Sequence, residues 1–193
     1  MELQHVNVKL HLADEAARDL ATLIPVFHNW IQAQIFGELL LDVADYRHVP
    51  AGPGIMIIGQ DGDFSVDDAD GLLGVRYNRK KPLNGSNQDR LRQAARAALT
   101  ACLRLETEAS LGGKFKFGGR RVEVFINDRL LAPNTDATRQ ASGAELDAFF
   151  RKLFGGSGFA LTYESDPRRR FSVAATMEQP LRLSQLISNL NAA

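Results

Sequence analysis

Gly54-Ile55-Met56-Ile57-Ile58-Gly59-Gln60-Asp61-Gly62-Asp63-Phe64-Ser65-Val66 is the stretch on which the fold turns. An apolar run enters a polar Asp-Gly connection and leaves it as a second strand-like segment, the pattern of two strands joined tightly. In the second half, Gly158-Phe159-Ala160-Leu161-Thr162 runs into a polar turn and then Phe171-Ser172-Val173. Each pattern follows an earlier strand-like segment with an amphipathic stretch, and each precedes another amphipathic stretch. The echo predicts two pseudo-repeated β-α-β-β-α units.

Outward from Gly54, the elements fall as follows. Val6, Val8, Leu10 and Leu12 alternate with Asn7, Lys9 and His11, which predicts a half-buried strand. A helix is expected from near Ile24, with Pro25 in its first turn and Gly37 at its end. Leu39–Tyr46 reads as a strand, and the Pro/Gly-rich stretch to Gly54 as a loop. Ile55–Gln60, Asp63–Asp67 and Leu72–Arg79 read as a meander with connections near Asp61-Gly62 and Asp70-Gly71. Ser86 with Asp89 caps a long helix reaching about Leu111, with Leu91, Ala95, Ala98, Leu99, Cys102 and Leu105 on its apolar face.

After Gly112-Gly113, Phe115–Phe117 and Arg121–Asn127 read as a hairpin around Gly118-Gly119. Asn127–Ala141 reads as an ordered polar loop. Ser142-Gly143-Ala144-Glu145 has the form of a capping box, which starts a helix there. Phe159–Glu164 and Arg170–Met177 form a second hairpin around Asp166-Pro167, and Leu183–Leu190 a closing helix. The expected fold is α+β: a mostly antiparallel sheet with helices on one face, a ferredoxin-like or related sandwich. It spans residues 1–193 as a single compact domain, with pseudo-symmetric halves 1–112 and 113–193.

Composition narrows the function classes. The 193 residues are 45% hydrophobic and 24% charged, which suits a globular domain with a substantial core. The 23 basic residues balance 23 acidic ones, which argues against a strong global field for nucleic acid or an anionic membrane. Cys102 is the single cysteine and cannot form an internal disulfide, consistent with a reducing compartment. The first residues lack the basic start and apolar core of a secretory signal. No apolar run approaches the ~20 residues of a membrane span. A cytoplasmic protein without membrane association is expected.

Four polar constellations are candidates for function. His28, Asp42, Asp45 and His48 are, in kind, a ligand set for a divalent metal. The competing reading ends a strand at Asp42 and Asp45 with turn and ion-pair contacts. Gly52 and Gly54 give a loop whose backbone N–H groups can approach an anion, with Arg79 and Lys80 as cationic partners. No phosphate-binding G-x-x-x-x-G-K-[ST] signature is present. Asn127, Asp128, Arg129 and Asn134 make a candidate interaction loop, although Asx turns account for the same residues. Finally, Arg76–Lys81, Lys114–Arg121 and Arg168–Arg170 interleave with Tyr77, Phe115 and Phe117. That is the chemistry of sheet-based nucleic-acid binders, provided that Arg79, Lys80, Arg120, Arg121 and Arg168–Arg170 share a face.

Nucleophilic catalysis finds little support. Cys102 falls on the apolar face of a helix, and there is no G-x-S-x-G elbow. The leading expectation is therefore a non-catalytic binding or assembly module that associates as a homodimer or with a protein partner. A metal- or anion-dependent enzyme centred on Asp42–His48 is the first alternative. Nucleic-acid binding through Arg/Lys-rich strand ends is the second.

Overall fold

A computed structural model describes residues 1–14, 19–69 and 71–192. The strands are β1 (Val6–Leu12), β2 (Leu40–Tyr46), β3 (Gly54–Gly59), β4 (Gly62–Asp67), β5 (Gly74–Arg79), β6 (Phe117–Ile126), β7 (Phe159–Tyr163) and β8 (Ser172–Met177). Helices α1 (Leu23–Ala33), α2 (Asn87–Thr107), α3 (Asp136–Leu153) and α4 (Leu183–Asn191) are interspersed among them. All eight strands form one sheet in the order β2-β3-β4-β5-β1-β6-β8-β7, with every pairing antiparallel. The architecture is mixed α+β.

Period-two patterning explains which way each strand faces. Val6, Val8 and Leu10 of β1 join Ile55, Ile57, Val66, Val75, Val122, Val124 and Val173 in one apolar cluster. The buried faces of all four helices belong to that cluster. Helix α2 supplies Leu91, Ala95, Ala98, Leu99, Cys102 and Leu105, as its spacing predicts. Its start is fixed by a complete Ser86/Asp89 capping box, which satisfies N–H groups the first turn otherwise leaves bare.

Four sequence expectations need correction. Phe115–Asn127 is not a hairpin: one strand, β6, runs through Gly118-Gly119 from Phe117 to Ile126. Gly119 takes φ +51, and β6 bulges there against β1, whose Leu10 pairs with Val122 and Leu12 with Phe117. A Cβ on Gly119 would lie 2.0 Å from the Leu181 carbonyl oxygen, so this glycine serves close packing and a strand kink, not a reversal.

Helix α3 starts at Asp136, not at Ser142. Thr135 is its N-cap, accepting from the Thr138 N–H, while the buried Ser142 hydroxyl donates to the Thr138 carbonyl one turn back. The Ser142…Glu145 pattern is thus an interior coincidence, and much of the expected polar loop is helix. Helix α1 stops at Gln34, in the left-handed region at φ 45, before Gly37 is reached. The Gln34 side chain bonds both the N–H and the carbonyl of Leu40, which holds that end without a glycine.

The echoing segments also occupy strands with different neighbours. Phe171-Ser172-Val173 leads into β8, which pairs with the central strand β6, whereas Phe64-Ser65-Val66 lies in β4, separated from the central β1 by β5. The Asp70-Gly71 connection lies partly outside the described residues. Its closing bond runs from the Gly71 N–H to the Asp68 carbonyl.

Candidate functional site: the polar face of the sheet

The positions of β1 that alternate with the core point away from the helices: Asn7, Lys9 and His11. Cross-strand partners share a face, so the pairings extend these positions into rows. Lys9 lies between Arg76 of β5 and Glu123 of β6, and the row continues to Ser65 on one side and to Ala174 and Thr162 on the other. Asn7 lies between Asn78 and Phe125, and that row continues to Asp63 and Ser172. The helices pack against the opposite face, yet this polar one is enclosed. Lys9 is 0% exposed, Asn7 1% and Asp67 1%.

At its centre Lys9 Nζ donates to Asp67 Oδ1 at 2.9 Å, reaching β4 across β5. Gly74 makes this possible, because a Cβ there would come within 3.1 Å of Lys9 Cε and 2.4 Å of the Leu10 carbonyl oxygen. The Ser65 hydroxyl donates to the other Asp67 oxygen at 2.8 Å, and Arg76 Nη2 stands 3.6 Å from Oδ1. Burial by itself would raise the Asp67 pKa. The charges of Arg76 and Lys9, with hydrogen bonds from Lys9 and Ser65, outweigh it and hold the carboxyl below its usual range. Lys9 and Arg76 are like charges directly opposite each other, an arrangement that destabilises a sheet unless a counter-ion intervenes. Asp67 is that counter-ion, within ion-pair range of both.

Toward β7 the face opens into a cleft of about 300 Å³. Arg121, Arg169, Arg170 and His11 line it with the carboxylates Glu123 and Glu164, over an apolar patch at Phe125. The guanidiniums of Arg76 and Arg170 stand 4.8 and 5.8 Å from the Phe125 ring centroid, within cation–π range. Arg169 Nη1 donates to Glu164 at 2.9 Å, and Arg170 Nη1 to Asn127 Oδ1 at 3.3 Å. The loop carrying both arginines is anchored from beneath. Asn134 Nδ2 donates to the carbonyls of Glu164 and Asp166, and Arg139 Nη2 to that of Glu164.

Several buried polar atoms on this face make no hydrogen bond to protein: both ring nitrogens of His11, Arg121 Nε, Asn7 Oδ1 and Asn78 Oδ1. His11 Nε2 and Arg121 Nη2 share Glu123 only at long range, 3.4 and 3.7 Å. Most buried polar atoms in folded proteins are satisfied, so this concentration of unsatisfied atoms sets the face apart from the rest of the core.

The structure distributes the sequence candidates differently. Asp42 and Asp45 leave opposite faces of β2, their partners on β3 being Ile58 and Ile55. Asp45 is held in a two-pronged ion pair by Arg47, whose hydrogen bonds bring its pKa down to about 2. Asp42 accepts from the Val43 N–H, while His28 is exposed on α1 and His48 in the turn beyond β2. Among the described residues no group of three histidine, cysteine, aspartate or glutamate side chains is placed to hold a metal ion.

Gly52 closes a turn onto the Val49 carbonyl, and Gly54 (φ +62) lets β3 approach the Val66 carbonyl. Both lie at the other end of the strands from Arg79 and Lys80. The basic runs divide between the two faces, with Arg121, Arg169 and Arg170 together on the polar one. Arg79 follows Val75 and Tyr77 on the helix side, whereas Arg121 faces the polar side. Lys80 pairs with Asp63, Lys81 with Asp61, and Arg168 with Asp166.

In the interaction loop, Asp128 accepts from the N–H groups of Leu130 and Leu131, Arg129 is exposed, and Asn134 is the buried anchor just described. Cys102 is fully enclosed, and burial pushes its thiol pKa well up.

On the helix side, Tyr77 Oη accepts from Gln93 Nε2 at 3.1 Å and lies 3.4 Å from Glu38. Burial pushes the phenol up to about 12 and raises the Glu38 carboxyl, despite the hydrogen bond from Tyr77 and the charge of Arg79.

Sequence reading missed the polar face because it treats each strand alone. The signal was present: Asn7/Lys9/His11, Asp63/Ser65/Asp67, Arg76/Asn78 and Arg121/Glu123 all alternate polar residues against core positions. Only the register shows that they meet. Compared with protein-family models, with curated proteins and with solved structures, the chain matches none.

Proposed function

We propose that the protein is a non-catalytic binding module that receives a polar ligand on the face of its sheet opposite the described helices. One observation carries this reading: charged and amide side chains are enclosed on that face, several with donors or acceptors unused within the protein. Desolvating such groups costs stability, and a ligand that completes their hydrogen bonds regains it. A cleft of about 300 Å³ is the size of a small-molecule site.

The site draws on both halves of the chain. β1 with β5 and β4 lies on one side of the central β1–β6 pair, and β6 with β8 and β7 on the other. We read these as two related units meeting at that pair, with the ligand face spanning the junction.

The test is thermal unfolding of the intact protein against a panel of charged metabolites and short acidic and basic peptides. A ligand that binds only the native state raises Tm with concentration. Thr162, exposed on β7 and lining the cleft, is the blocking position. Thr162→Trp should abolish any such rise without altering the circular dichroism spectrum. Ligand shifts equal in both proteins would overturn the reading.

A further inference from the structure

We infer that the cleft at the β7 end of the polar face binds a small organic anion through a phosphate or carboxylate group. The inference rests on the binding-face reading and names the ligand class. Three guanidiniums, those of Arg121, Arg169 and Arg170, line the cleft against two carboxylates, Glu123 and Glu164. They come from two elements, Arg121 from the body of β6 and the other two from the β7–β8 loop, so they approach from different sides. The Glu123 carboxylate is stretched between competitors. Arg121 Nη2 stands 3.7 Å away and His11 Nε2 3.4 Å, and Glu123 also neighbours Lys9 in register.

The second observation is a set of buried nitrogen atoms that make no hydrogen bond within the protein, on side chains that reach Glu123 at 3.4 and 3.7 Å. Arg121 Nε is buried with no acceptor, and the His11 side chain is only 9% exposed with neither ring nitrogen hydrogen-bonded. A guanidinium that presents Nε–H beside an Nη–H offers the two-pronged geometry that carboxylate and phosphate oxygens match. The Phe125 ring, already faced by Arg76 and Arg170, supplies a flat apolar wall for the remainder of the ligand. The cleft volume restricts that ligand to metabolite size.

The experiment is titration of the intact protein with inorganic phosphate and, separately, with succinate. It is followed by calorimetry and by Tm at fixed ionic strength, with chloride as the reference. Saturable binding of at least one anion is expected, and which one binds tells phosphate recognition from carboxylate recognition. Arg121→Gln and, independently, the exposed-loop variant Arg169→Gln should each weaken it at least about tenfold, the loss of one charge-assisted pair. Arg121→Lys should recover only part, because a lysine keeps the charge and loses the fork. Arg96→Gln, on the exposed side of α2, should change nothing.

Binding that survives both cleft arginine variants, or binding of neither anion, overturns the anion assignment. The binding-face reading is judged separately. If a cationic probe such as spermidine binds and Thr162→Trp blocks it, the face stands and only the ligand class falls. If Thr162→Trp affects no probe that binds the wild-type protein, both fall.

Discussion

Lys9 and Asp67 are joined at 2.9 Å across an intervening strand, and neither side chain has any solvent exposure. A buried pair of this kind is weak evidence for net stability, since desolvation offsets much of the attraction. Removing one partner is a different matter, because the other charge is left enclosed. Asp67→Asn and Lys9→Met should each destabilise the protein by about 3–5 kcal/mol. The Lys9→Met/Asp67→Asn double variant should lose much less than the sum. Urea unfolding of the four proteins closes the cycle, and additive losses would show that the pair is not coupled.

The same carboxyl sets an acid response. Asp67 is held below the unfolded value of about 3.9, so the unfolded state binds its proton first. Its contribution is full above that value and is lost as pH falls through the lower native pKa. The stability gap between wild type and Asp67→Asn should therefore be constant from about pH 7 to pH 5 and shrink below about pH 4. Exposed carboxylates such as Asp45, also depressed by its partner Arg47, titrate in both proteins and cancel from the difference. A gap independent of pH down to about 2.5 would contradict the assignment.

Two glycines with almost the same backbone angle separate conformational strain from steric contact. Gly112 has φ +56 and nothing near its missing side chain, while Gly119 has φ +51 and the Leu181 carbonyl in the way. Gly112→Ala should cost about 1–2 kcal/mol, the left-handed penalty alone. Gly119→Ala should cost clearly more and loosen the segment that leads into α4. Equal losses in denaturant unfolding would mean that β6 does not run through this position as a bulged strand.

The legibility of this chain follows from the range of each signal. Strand patterning and the Ser86/Asp89 box of α2 are local, and β1 and the start of α2 lie where those residues place them, although α2 ends at Thr107, short of the expected Leu111. The hairpin at Gly118-Gly119 misled because a glycine pair marks a kink as readily as a turn, and the choice depends on Leu181, far along the chain. The start of α3 misled because Thr135 caps without an acidic partner at the third position, so the stronger pattern at Ser142 drew the boundary. The candidate site was hidden for a topological reason. Asp67 and Lys9 are 58 residues apart in the chain, and nothing local to either residue announces that Gly74 opens the path between them.

Thr135 and Glu145 give the most direct test of where α3 begins. Thr135 accepts from the Thr138 N–H at the helix start, so Thr135→Ala should cost about 1 kcal/mol. Glu145 has a different partner: its carboxylate and its carbonyl both accept from Gln88 Nε2 of α2. Glu145→Ala should therefore leave helix content unchanged and cost only the tie between α2 and α3. The two losses should also differ in place. In hydrogen exchange, Thr135→Ala should speed exchange of the N–H groups from Ala137 to Arg139 and loosen the Arg139 and Asn134 bonds that hold the Glu164 and Asp166 carbonyls. Because those bonds anchor the loop carrying Arg169 and Arg170, the variant should also weaken whatever the cleft binds. Glu145→Ala should do neither, and faster exchange at Ala144–Leu146 alone would put the helix start back at Ser142.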